Sequence, residues 1–349
     1  MRGKLIRLIL AGVAVSTGMI CLATAGCRRS GQTGGTLHLS LILDEKSEWH
    51  IGAARWKEIV EAESGGRYTV KIAPRASLSG GKQSAELEMV QSGVLHASLE
   101  STILLSTLDK AFSAFSLPWL FDDYEHAARV CDGPLGATML KRLESVKLTG
   151  LAYGTNGFRQ LTNNRRPIAA PEDFKGLKVR VPAISMYIDL FRNFGADPSQ
   201  MDFGELLQAI QTGAMDGQEN PLHVIRTTRL WEMQKYLTLL DYSYDPLVLC
   251  MNADFFNSVP AADREMFRKA AIGAMKQQRE TVAANEKDHL EWLKQHMAVN
   301  RLTREQTAPF REIQKKLYTD YAANIGNELV NEFVRESQRL RAEDAETSK

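Results

Sequence analysis

The chain has 349 residues, enough for about two domains. Hydrophobic residues make up 44% and charged residues 24%, which excludes a polytopic membrane protein and a largely disordered chain. The net charge is +1, and without the basic N-terminus (Arg2, Lys4, Arg7) the remainder is weakly acidic, so no nucleic-acid partner is expected.

Residues 1–26 read as an export signal. A basic start precedes the apolar run Leu8 to Ile20, which is short for a bilayer span. Thr24-Ala25-Gly26-Cys27 resembles a bacterial lipobox in which Cys27 is lipidated, although Thr24 stands where Leu is usual. The competing reading is cleavage after Ala23-Thr24-Ala25, which leaves a free periplasmic protein; a third is an uncleaved anchor. All place the folded part outside the cytoplasm. Only Cys131 and Cys250 then remain in the fold, and two buried free thiols are expected. Residues 27–35 form a polar, glycine-rich tether.

Leu37 to Leu43 alternates strictly and predicts a strand. Trp49 to Ala62 has helical spacing and ends at Gly65-Gly66. Tyr68, Val70 and Ile72 form a second strand, Ser84 to Ser92 a second helix and Val94 to Leu99 a third strand. This order predicts an α/β unit with a largely parallel sheet. The pattern recurs after residue 150, with strands over Leu148 to Tyr153 and Leu177 to Val181. A capping box, Asp202-Phe203-Gly204-Glu205, starts a helix that stops at Gly213. Later strands cover Leu237 to Leu240 and Leu247 to Met251. From Ala261 onward the chain reads as helical, with Pro309 as its only break.

Familiar catalytic signatures are missing. There is no dinucleotide fingerprint, P-loop or nucleophile elbow, and the seven histidines show no ligand spacing. His289 and His296 are expected on a surface helix. No metal or cofactor is predicted. Three segments carry chemistry instead. Gly154 to Asn163 is a glycine-punctuated turn containing Arg159. In Gly176 to Pro182, Leu177, Val179 and Val181 share a buried face while Arg180 leaves from the other, near the carboxyl end of its strand, where open α/β sheets place ligands. In Gln211 to Pro221, an Asp-Gly turn leads to Asn220.

These segments, in this order and spacing, resemble the solute-binding subunits of TRAP (tripartite ATP-independent periplasmic) transporters, from Leu37 to about Arg341. The resemblance implies that Arg180 forms a bidentate salt bridge with a ligand carboxylate and that the Asn220 amide fixes the same group. It also implies a second cation at Arg159, an aromatic wall at Phe203 and a hydroxyl- or amine-accepting acid at Glu100. The sialic-acid branch carries an arginine three positions after that acid; Ile103 stands here and argues against sialic acid. The region of Asp44, Trp49 and His50 is expected to border the cleft, with no choice possible among the three.

The expected fold is α/β, a two-lobe periplasmic-binding-protein fold with hinge strands and long C-terminal bracing helices. Lobe one is expected to take 36–155 plus 245–285, and lobe two 156–244 plus 286–349. The expected function is capture of a small organic acid, a sugar acid or uronate first and a C4-dicarboxylate second, for delivery to membrane permease subunits, without catalysis. The alternatives are a binding protein of an ABC importer and an extracytoplasmic enzyme acting on a small acid.

Overall fold

The computed structural model describes residues 34–347; the leader, most of the tether and Cys27 lie outside the described residues. The elements in the first half are β1 (Gly35–Ser40), α1 (Glu48–Glu63), β2 (Tyr68–Ala73), α2 (Gln83–Gln91), β3 (Ala97–Ser101), α3 (Thr102–Leu105), α4 (Tyr124–Asp132), α5 (Pro134–Arg142) and β4 (Leu148–Phe158). Then come β5 (Gln160–Asn163), β6 (Lys178–Val181), α6 (Ser185–Phe194), β7 (Asp197–Gln200), α7 (Phe203–Gln211), β8 (Gly217–Asn220), α8 (Leu222–Thr227), β9 (Tyr236–Leu239) and β10 (Tyr244–Asn252). The chain ends with α9 (Ala253–Ser258), α10 (Ala261–Lys294), β11 (Ala298–Arg301), α11 (Arg304–Ile325) and α12 (Asn327–Thr347).

The strands form two sheets, one in the order β2-β1-β3-β10-β4 and the other β11-β9-β5-β8-β6-β7. The first sheet is mixed rather than largely parallel. β1 runs parallel to β2 and β3, but β10 enters antiparallel between β3 and β4. The reason is connectivity: β10 arrives from the second sheet and so runs opposite to the strands laid down first.

Local sequence explains the first layer. Ser47 caps α1 by accepting from the His50 N–H, and Trp49, Gly52, Ala53, Trp56 and Val60 make one buried stripe at helical spacing. Gly52 lets α10 approach, since a Cβ there would lie 2.8 Å from Met275 Cε. Between Ala261 and Lys294, α10 covers this layer with Phe267, Ala270, Ala271, Ala274 and Met275.

The C-terminal third is not one helical run broken at Pro309. The interruptions fall at residues 295–303, where β11 pairs with β9, and at Gly326 between α11 and α12, and Pro309 lies inside α11. So near a helix start, proline removes one backbone hydrogen bond while Phe310, Leu317 and Ile325 bury the helix. Phe310, Phe333 and Leu340 belong to a single apolar cluster with Val179 and Val181 of the second sheet and Tyr153 and Val248 of the first. The last two helices therefore brace both sheets.

The chain passes directly from a strand of one sheet to a strand of the other twice, and a third time by way of α9 and α10 to β11. Only Arg159 separates β4 from β5, and residues 240–243 separate β9 from β10. The two crossings touch: Tyr244 pairs with Phe158, and the Arg159 N–H donates to Ser243 O at 2.9 Å. Beside them, Pro246 lies opposite Thr155 and has no N–H to offer. The Gln278 side chain of α10 substitutes, bonding both the Thr155 N–H and its carbonyl at 2.8 Å. Cys131 and Cys250 are buried free thiols.

Gly157 precedes the first crossing with φ +113, and an added Cβ would sit 2.9 Å from Tyr124 Oη. Gly157→Ala is therefore expected to lose about 1–3 kcal/mol of stability through backbone strain, read as a lower urea midpoint at unchanged m-value.

Candidate functional site

A cavity of about 540 Å³, counting its open mouth, lies between the two sheets and is lined by Arg159, Arg180, Asn220, Phe203 and Asp245 among others. Four of the residues singled out from the sequence thus share one cleft. The remaining one, Glu100, is not among its lining residues.

Arg180 is placed by β6, which sits between β7 and β8 and buries Val179 and Val181 behind it. The side chain is 2% exposed. Its guanidinium donates through Nε and Nη2 to one backbone oxygen, Met201 O, at 2.9 and 2.7 Å, and its carbon stands 5.9 Å from the Phe203 ring centre. Among the described residues no carboxylate forms an ion pair with it. Burial brings its pKa down to about 10; Glu219 and Asp202 partly offset this, and the neighbouring Arg159 adds to it.

Arg159 has the opposite environment. Its Nη2 lies 2.9 Å from Glu219 Oε1 and its Nη1 2.7 Å from Asp245 Oδ2, with Nε on Glu219 Oε2. Tyr242 also donates to Glu219, while Ser101 and Asn156 donate to Asp245. Burial alone would depress the Arg159 pKa, but Glu219 and Asp245 raise it well above the usual value. Burial pushes the Asp245 carboxyl up in spite of its paired cation. Nη2 of Arg159 also approaches Asn220 Oδ1 at 3.4 Å, and the Asn220 amide donates to Gln218.

Asp202 does not form the expected capping box. Its side chain makes no cap bond; its backbone oxygen accepts from the Glu205 N–H, and the residue lines the cavity near Arg180. Phe203, at the start of α7, is half-buried in the wall beside it. Opposite, Ile42, Leu43, Ile103, Leu104 and Val224 give apolar surface. Trp49 is the member of its region that lines the cavity, and its Nε1 donates to Asn156 Oδ1 at 2.8 Å.

Glu100 points elsewhere for a reason of strand periodicity. Successive side chains of β3 alternate, so Ser101 faces the cleft while Ser98 and Glu100 share the opposite face. Glu100 is fully buried there, and its pKa is raised well above the ordinary range by burial and by the nearby Glu86, whose own rises to about 7. His289 is not a surface residue either: it is 7% exposed and lies 2.6 Å from Glu48 Oε1. The sequence reading missed Asp245, Glu219 and Asn156. The usable signal was an acid inside the apolar strand Tyr244 to Met251.

The comparisons agree on one kind of protein. Residues 39–324 match the family described as bacterial extracellular solute-binding protein, family 7 (DctP). The C4-dicarboxylate-binding periplasmic protein DctP of Rhodobacter capsulatus is 32% identical over 287 residues, covering 80% of this chain and 84% of that one. A TRAP periplasmic solute-binding protein from Ralstonia eutropha, solved with (S)-2-hydroxy-2-methyl-3-oxobutanoate, superposes with a TM-score of 0.83 at 32% identity, covering 87% of this chain and 99% of that one. The sugar acid binding protein of Advenella mimigardefordensis, solved with galactonate, gives 0.85 at 30% identity over 88% and 99%.

The two arginines should respond differently to loss of charge. Arg159→Met leaves Glu219 and Asp245 buried without their cation and is expected to cost about 3–5 kcal/mol of ligand-free stability. Arg180→Met removes a buried charge that has no ion-pair partner, so the ligand-free melting temperature should stay level or rise. Calorimetric melts of both variants without ligand make the comparison.

Proposed function

The chain belongs to the bacterial extracellular solute-binding proteins of family 7, the non-enzymatic periplasmic receptors of TRAP transporters, and on that premise we propose that its cleft captures one short 2-hydroxy carboxylate, such as a small sugar acid, and hands it to the permease subunits. The observation that carries this reading is the buried Arg180 guanidinium, whose protein partner is a lone backbone carbonyl. A ligand carboxylate would supply the missing counter-charge through two parallel charge-assisted hydrogen bonds. Asn220 lines the same cavity beside Arg159, which supports a role for its amide in bonding a carboxylate oxygen or the adjacent hydroxyl.

Charge and shape narrow the ligand. Arg159 already faces two carboxylates, and Asp202 and Asp245 also line the cavity. One ligand carboxylate balances Arg180; a second would meet acids, which disfavours C4-dicarboxylates here. The apolar wall of Ile103, Leu104 and Val224 suits a short carbon chain better than a long polyol. The ligands of the Ralstonia and Advenella proteins both carry a hydroxyl beside the carboxylate. The two crossings at Arg159 and 240–243 would serve as the hinge about which lobes 36–155 plus 245–285 and 156–244 plus 286–349 close.

Calorimetry with D-erythronate, galactonate and succinate tests the ligand class, with the tightest binding expected for erythronate. Arg180→Ala should then lose about 2–5 kcal/mol of binding, roughly 30-fold to several thousand-fold in affinity. Arg180→Lys should lose less, because it keeps the charge but not the planar fork. Unchanged affinity in Arg180→Ala would remove the residue from the site.

We also propose that Cys27 carries a lipid that tethers the receptor to the membrane, supported by Thr24-Ala25-Gly26-Cys27 after a basic, apolar leader. Cys27→Ser is expected to shift the protein from the membrane fraction to the soluble periplasm. A wild-type protein that already fractionates as soluble would favour cleavage after Ala25 instead.

A further inference from the structure

Behind the cleft lies a buried polar cluster that ligand capture does not use. Glu48, at the start of α1, is 4% exposed, and His223 on α8 and His289 on α10 are 0% and 7% exposed. His289 Nε2 stands 2.6 Å from Glu48 Oε1, which also accepts from Asn285 Nδ2 at 3.3 Å. His223 Nδ1 stands 2.8 Å from Glu48 Oε2, a close ion-pair contact too oblique for an aligned hydrogen bond.

The partners of each ring fix its protons. His289 Nδ1 lies 3.2 Å from Arg226 Nη1, which can only donate, so Nδ1 is bare and Nε2 carries the proton. This ring is neutral. His223 differs, because its Nε2 is 2.8 Å from the backbone oxygen of Asn156 and 3.1 Å from Asn156 Oδ1, while its Nδ1 meets the carboxylate. Both nitrogens face oxygens that accept. A bare Nε2 would set its lone pair against the Asn156 carbonyl at 2.8 Å, and a bare Nδ1 would leave the Glu48 carboxylate at 2.8 Å with no positive charge on the ring to face.

We propose that His223 is held doubly protonated at neutral pH and that, with Glu48, it is a positioning pair that ties α1 to α8 and sets the ligand cleft, so that ligand affinity falls as pH rises. The pair joins two layers. Trp49 and Trp56 of α1 pack in the cluster of the first sheet, whereas Leu222 and Ile225 of α8 pack with Leu206 and Leu237 against the second. The link to the cleft is Asn156. His223 holds its carbonyl, Trp49 donates to its Oδ1, and its Nδ2 donates at 2.8 Å to Asp245, the counter-ion of Arg159. Trp49, Asn156, Asp245 and Arg159 all line the cavity.

The charged and titratable neighbours come from every side: Glu48 from α1, Arg226 from α8, Glu286, Asp288 and His289 from α10, and Asp245 through Asn156. Tyr124 of α4 donates to Glu286, whose carboxyl burial pushes up, so that site gives little compensating charge. The two histidines hold the Glu48 carboxyl well below the usual range against its own burial. The proton between Glu48 and His223 therefore sits on the ring. The sign follows from the proposed pairing: the tie holds while the ring keeps both protons and weakens, never strengthens, as pH rises.

The test uses the full chain in detergent. Long-range ¹⁵N spectra, assigned by the peaks missing in His223→Gln, should show two protonated nitrogens for His223 at pH 7.5 and one bare nitrogen for His289. With D-erythronate as probe, the wild-type Kd should weaken about tenfold between pH 7 and 9. His223→Gln should bind about tenfold more weakly at pH 7 with a flat profile. His289→Gln, whose amide still donates to Glu48, should keep both affinity and profile. A merely structural role would lower the melting temperature while leaving Kd and its pH dependence unmoved, and that result overturns the proposal, as does a bare nitrogen on His223. The affinity arm rests on the carboxylate reading of the cleft. If erythronate fails to bind the wild type, that reading fails alone, and the spectra together with ligand-free melts at pH 7 and 9 still decide, the melt falling with pH more steeply in wild type than in His223→Gln, since the decline from Glu86 and Glu100 is common to both.

Discussion

A guanidinium with no carboxylate partner, sealed between two sheets, is the constraint on which this structure turns. Arg180 is nearly inaccessible, and its two donating nitrogens share a single backbone oxygen. Burying an unpaired charge is among the costlier things a fold can do. β6 can hold it because Val179 and Val181 anchor the strand from behind, and because Met201 O and the Phe203 face give partial compensation. On the proposed reading, that residual cost would convert into ligand affinity, since an anion paired with Arg180 would relieve it. The preference for an anion would thus be built into the ligand-free protein.

Arg159 solves a different problem. It stands alone between β4 and β5, on the crossing, and binds Glu219 of the second sheet and Asp245 of the first. Its charge is spent on joining the sheets at the point where they would move. The neighbouring Tyr242, Ser101 and Asn156 complete the hydrogen bonds of both acids. Two arginines about 20 residues apart in sequence therefore differ in charge balance, one paired within the frame and one without a carboxylate, and only the surrounding acids tell them apart.

What was legible follows from how far each signal reaches along the chain. The first strands and helices were plain because alternation and helical spacing are local and glycines mark their ends, as at Gly65-Gly66 after α1. Arg180 stood out as a cation set between the apolar Val179 and Val181 of its strand. The partners of Arg159 were hidden, since Glu219 and Asp245 lie 60 and 86 positions away. The antiparallel entry of β10 is likewise a matter of topology that no window of residues reveals. Glu100 shows how one residue of register decides a role: Ser101 next to it faces the cavity, and Glu100 faces away. Asp202 had the sequence of a cap, but its carboxylate faces the positive field of Arg180 and leaves the helix end to a backbone bond.

The acids behind the cleft add opposing slopes to the stability of the frame. Glu48 is ionised well into acid because two histidines hold it, so its stabilisation is present above the usual carboxylate range and is lost as pH falls below it. Glu86 and Glu100 act in the other sense. Burial raises both, and the folded protein keeps protons that the unfolded chain releases above about pH 4.5. Stability from that pair therefore declines as pH climbs from that value through about 7, where Glu86 ionises. One group makes the fold sensitive to acid and two make it sensitive to alkali, and they stand on α1, α2 and β3 of the first sheet layer. The first sheet layer is thus tuned by carboxyls that do not line the cavity.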